Sequence, residues 1–99
     1  MKEAELPLKE QLNLQTAHIS WPEIERFFAR GRVLTVAPDL DLIEVATALT
    51  EDNIDKFNHW TTIKKVQHLS DEIAKQWVID DSNLWAVVIA PWVLTQKRE

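Results

Sequence analysis

The sequence predicts one mixed α+β domain, a three-stranded sheet with the C-terminal strand central, packed by about five short helices. Three observations predict it. Residues 84–95 are apolar on both alternating faces, as in a strand covered on both sides. Two capping-box patterns, Ser20 to Glu23 and Asp41 to Glu44, each open a stretch with helical apolar spacing. The chain has 99 residues, one glycine and four prolines, so a single compact core with little linker fits it. The whole chain, 1–99, reads as one globular unit with frayed ends at 1–5 and 97–99.

The first helix is expected over residues 8–19, with Leu8, Leu12 and Ile19 near one face and His18 near its C-terminal end. The second opens at Ser20, carries Pro22 in its first turn, and places Ile24, Phe27 and Phe28 on one stripe. Gly31 ends it, because the left-handed position after a helix suits a residue without Cβ. Residues 32–37, rich in branched side chains and closed by Pro38, form the first strand. Asp41 then caps a helix with Leu42, Val45, Ala46 and Leu49 inward, and Asp52 caps another with Ile54, Phe57 and Trp60 inward. Residues 63–69 read as a polar edge strand. Ser70 caps a helix bearing Ile73, Ala74 and Trp77. In the last element Pro91 forces a bulge, a break or an edge, since it cannot donate to a ladder. A buried helix is the competing reading there, and Val87, Val88, Ile89 and Val93 favour the strand. The separations between the three strands are long enough for parallel crossovers, which would be right-handed.

Residues 21–33, 39–46 and 84–94 (Trp-Pro-Glu-Ile-Glu-Arg-Phe-Phe-Ala-Arg-Gly-Arg-Val, Asp-Leu-Asp-Leu-Ile-Glu-Val-Ala and Leu-Trp-Ala-Val-Val-Ile-Ala-Pro-Trp-Val-Leu) resemble a bacterial family of about this length. That family is a domain of unknown function. The resemblance implies a stand-alone protein and carries over no activity and no site residue.

Composition excludes several chemistries. Without cysteine there is no disulfide, thiolate metal site or cysteine nucleophile. One glycine rules out a P-loop and a dinucleotide fingerprint. His18, His59 and His68 form no helical metal pair, and no serine sits in a nucleophile elbow. No cofactor or metal is expected. The charged N-terminus lacks a secretion-type apolar core, and the longest apolar run is too short to span a bilayer, so a cytoplasmic protein away from membranes is expected.

The net charge of −5 comes from one place. Residues 39–55 hold six acids and no base, while the rest of the chain is near neutral. This argues against nucleic acid, whose phosphates demand Lys and Arg. The same segment supplies the candidate binding residues Asp39, Asp41, Glu44, Glu51 and Asp55. Asp39, Asp41 and Glu44 follow a strand and open a helix, where three carboxylates can hold a divalent cation or do acid–base work. Helix capping is the commoner use of that pattern. Arg26, Arg30 and Arg32 are the candidate anion site, and pairing with nearby acids is the bland alternative. Of five tryptophans, Trp21 is the one best placed to line a surface groove, and the others read mainly as core. The leading expectation is a non-enzymatic interaction module that meets a basic protein surface or itself. A small metal-dependent or acid–base enzyme is the alternative.

Overall fold

The computed structural model describes residues 7–80 and 83–97. The elements run α1 (Leu8–Gln15), β1 (Ala17–Ile19), α2 (Trp21–Ala29), β2 (Val33–Val36), α3 (Leu42–Thr50), α4 (Ile54–Thr62), β3 (Val66–His68), α5 (Asp71–Asp80), β4 (Leu84–Ile89) and β5 (Trp92–Lys97). The fold is α+β with five helices, but the sheet has five strands rather than three, ordered β1-β4-β5-β2-β3.

The two extra strands have separate causes. Residues 84–95 are not one strand. The chain breaks at Ala90-Pro91, a cis bond, and β5 folds back antiparallel on β4 with Ile89 opposite Trp92. The predicted first helix stops at Gln15, where the Thr16 hydroxyl donates to the Leu12 carbonyl, and the next three residues pair with β4 as β1. His18 is therefore a sheet-edge residue and not a helix-end one. β5 is the central strand, parallel to β2, which in turn pairs antiparallel with β3 at the far edge. The long link between β2 and β3 thus makes an antiparallel neighbour, and the parallel pair is β2 with β5.

The three inner strands alternate between two covered faces. On the first, Leu34, Val36, Val66, Val87 and Leu94 meet Leu12 of α1, Leu42, Val45, Ala46 and Ala48 of α3, and Trp60 of α4. On the second, Val33, Leu84, Ala86 and Val93 meet Ile24 of α2 with Ala74 and Trp77 of α5. Val88, expected in the core, is 58% exposed. It points to the second face but lies beyond the helices that cover Leu84 and Ala86 there.

Helix ends explain why a single glycine suffices. α2 closes with Gly31 at φ 70°, where Arg32 N–H donates to Phe27 O and Gly31 N–H to Phe28 O. α3 and α4 end with the same bond pair, yet Asp52 and Lys64 occupy the left-handed position at φ 57° and 62°. Asp52 therefore ends α3 instead of capping α4. Asn53 is the cap, its side chain accepting from Lys56 N–H at 3.2 Å. Ile54, expected inward, is exposed. Among the described residues no helix is long and apolar enough to cross a membrane.

Candidate functional site

The residues with the least structural explanation lie on the second face, between α2 and α5. On α5, Ala74 and Trp77 point into the core, while Val78 and Ile79 point away from it and are 51% and 76% exposed. An isolated exposed aliphatic side chain is ordinary, but these two adjoin others. Across from them α2 presents Trp21 and Phe28, seven residues apart and so on one stripe, with ring centroids 5.6 Å apart. Together with Ala74 they line an open groove of about 400 Å³, bounded on the α5 side by Asp71 and Lys75.

Local sequence fixes both walls. The Glu23 carboxylate accepts Ser20 N–H at 3.1 Å, which orders the chain immediately before Trp21. The Ser20 hydroxyl lies 3.4 Å from the same carboxylate. On the other wall the Ser70 hydroxyl accepts Ile73 N–H at 3.2 Å and starts α5. Ile19 pairs with Leu84, tying the start of α2 to the strand that follows α5. Leu69 N–H bonds to Val33 O, tying the strand after α2 to the start of α5.

Trp21 thus lies on this groove, while the acidic candidates lie elsewhere and are not gathered into one constellation. Asp39 accepts a hydrogen bond from Lys65 Nζ, and that bond holds its carboxyl below the usual carboxylate range. The contribution is present at neutral pH and is lost as pH falls through the lowered value; both partners are exposed enough for salt to weaken it. Asp41 accepts Ile43 N–H at 2.9 Å and caps α3. Glu44 and Glu51 line a crevice of about 460 Å³ between α1, α3 and α4, shared with Lys9 and Lys56, so part of the acidic run faces bases. Asp55 is exposed in the first turn of α4. Among the described residues no group of three or more His, Asp or Glu is placed to hold a metal ion. Replacing the cap tests the structural part: Asp41→Ala is expected to lower unfolding free energy by about 1 kcal/mol, read from urea melts.

Arg26, Arg30 and Arg32 are all exposed, strung along the last turn and C-terminal end of α2. Arg26 lies 5.3 Å from the Phe27 ring centroid. Trp85 and Trp92 are half-buried on the first face, in edge contact with His18 and His68 from the two edge strands. Sequence reasoning did not pick out Phe28, Asp71, Lys75, Val78 or Ile79 for the site. The available signal was Ile79, an apolar residue off the stripe that Ala74 and Trp77 commit to the core.

The fold and groove define a small α+β domain with an open apolar cleft between two helices. A family model described as a protein of unknown function, DUF2288, matches residues 7–97, and the chain belongs to that family. It is similar to PA1075 from Pseudomonas aeruginosa, known as an NMR solution structure. The identity is 42% over 100% of this chain and 92% of that one, with a TM-score of 0.83. No curated protein matches.

Proposed function

We propose that this protein is a non-enzymatic interaction module that binds a protein partner through the groove between α2 and α5. The carrying observation is the cluster formed by Trp21, Phe28, Val78 and Ile79, two aromatic rings and two exposed aliphatic side chains around one cleft. Rigid aromatic walls with aliphatic neighbours suit anchoring side chains from another polypeptide, since such residues dominate binding energy when they lose water. The exposed acids Asp39, Asp41, Glu51 and Asp55, on the sheet face away from the groove, would disfavour nucleic acid. The alternative, an enzyme using Asp39, Asp41 and Glu44, has less to rest on, because Asp39 is bonded to Lys65 and Asp41 to its own helix.

A photo-reactive residue tests this directly. Placed at position 79 and activated in the host cell, it should give a discrete protein adduct that is lost when Trp21→Ala is added. The same residue at position 14, equally exposed on α1, should give none. Equal adducts from both positions, or none from 79, would reject the groove as a docking surface.

A further inference from the structure

We infer that the occupant of this groove is a second copy of the same chain, bound about a two-fold axis; the inference rests on the docking role proposed above. Charge restricts where two copies can meet. Each copy carries a net −5, so copies repel unless they meet on a neutral face. The six acids of residues 39–55 lie in and around α3 and α4, on the first sheet face. Among the described residues the opposite face is balanced. Glu23 and Glu25 accompany Arg26, Arg30 and Arg32 around α2, and Lys75 and Lys97 offset Asp71, Glu72 and Asp80 around α5. Asp80 and Lys97 lie 3.7 Å apart.

The groove face is also self-complementary. A two-fold interface uses one patch on both partners, so it needs a patch that contains both a cleft and something to fill it. Here Val78 and Ile79 stand at the lip of the cleft that Trp21, Phe28 and Ala74 floor, and each copy can place its aliphatic pair in the other's cleft. Asp71 and Lys75, one helical turn apart on the rim, leave that rim with no net charge for a twin to oppose.

Area sets the strength. Helices of nine and ten residues are about 14–15 Å long, so the face offers a few hundred Å² per copy. A stable interface buries roughly 800 Å² per partner, so the dimer is weak and forms only at high protein concentration.

Sedimentation velocity on the purified chain, from about 10 µM to about 1 mM, reads this out. The weight-average mass should climb from 11.5 kDa toward twice that value. Ile79→Asp should stay monomeric across the range with an unchanged melting temperature, because position 79 is exposed. A parent that remains monomeric at the highest concentration overturns the inference. So does a dimer that Ile79→Asp leaves intact, which would place the contact elsewhere. If the parent is monomeric while the position-79 adduct contains a different protein, this inference fails and the docking groove stands. No adduct at all fails both.

Discussion

Leu94→Asp is expected to leave a chain that does not fold, while Val88→Asp should melt within a few degrees of the parent. Leu94 is fully buried on the central strand, between β4 and β2, in the core shared with α1, α3 and α4. A carboxylate there loses its water with no cation to meet it, at several kcal/mol, and the leucine's own burial is lost as well. A domain of this size has about 5–15 kcal/mol in total, so the sum consumes most or all of it. Leu94→Ala, a milder cavity-forming change, should cost about 2–5 kcal/mol and keep the fold measurable. Val88 lies on the neighbouring strand, opposite Val93, but past the reach of the second-face helices, and an aspartate there stays hydrated. Thermal melts and amide dispersion in two-dimensional NMR distinguish the outcomes. A folded Leu94→Asp, or an unfolded Val88→Asp, would contradict the assignment of β5 to the centre and of Val88 to the open rim.

That contrast marks how far the residues alone could be read. Central placement of the C-terminal strand was legible because residues 84–95 are apolar on both alternating faces, as in a strand covered on both sides, although only the part after Pro91 is the central strand. Which of its neighbours escapes burial was not legible. Val88 has the same chemistry as Val87, and its exposure depends on how far the helices of the second face reach along β4, since they cover Leu84 and Ala86 but not Val88. The hairpin was half legible. Pro91 announced an interruption, but a run of apolar residues on both sides of a proline does not say whether the chain bulges or reverses. β1 was invisible for a related reason. Three residues next to a weakly patterned helix carry no period, and they are strand only because β4 offers them an edge.

Helix starts were easier than helix ends. Asp41 and Ser70 cap as their types suggest, since a cap is a local bond between near neighbours. Asp52 misled because Asp is a good cap by type, whereas here it takes the left-handed turn that ends α3 and leaves capping to Asn53. At the groove, Trp21 stood out by type and position. Val78 and Ile79 did not, because Val78 lies one turn after Ala74 and reads as part of the core stripe, and the exposure of the pair is decided by how α5 packs on the sheet.

Gln96 carries the other large expected effect. It is a buried polar side chain on β5, and its Nε2 donates to Ala37 O at 2.8 Å and to Leu40 O at 2.6 Å. One amide group thereby serves two carbonyls of the turn that links β2 to α3, the turn that carries Asp39 and leads into the Asp41 cap. Gln96→Leu keeps the size but removes both donors, and the cost is expected at about 1–3 kcal/mol, since the part-buried Leu40 carbonyl loses this donor while the Ala37 carbonyl keeps its bond from Leu40 N–H. Gln96→Glu should be worse near neutral pH, because an ionised carboxylate would face two carbonyl oxygens with nothing to donate. Burial raises the pKa of such a glutamate above its unfolded value, so the penalty is smaller below that value and grows as pH rises through the folded one. The Glu variant should therefore approach or pass the Leu variant in stability near pH 4 and fall behind it at pH 7. Hydrogen exchange at residues 37–41 should accelerate in both, ahead of the central strands, because the turn is released before the sheet opens. Urea melts of the two variants across that pH range, with exchange rates for the turn, provide the measurement. Equal stability of the Glu and Leu variants at every pH would mean that the Gln96 amide does not hold this turn.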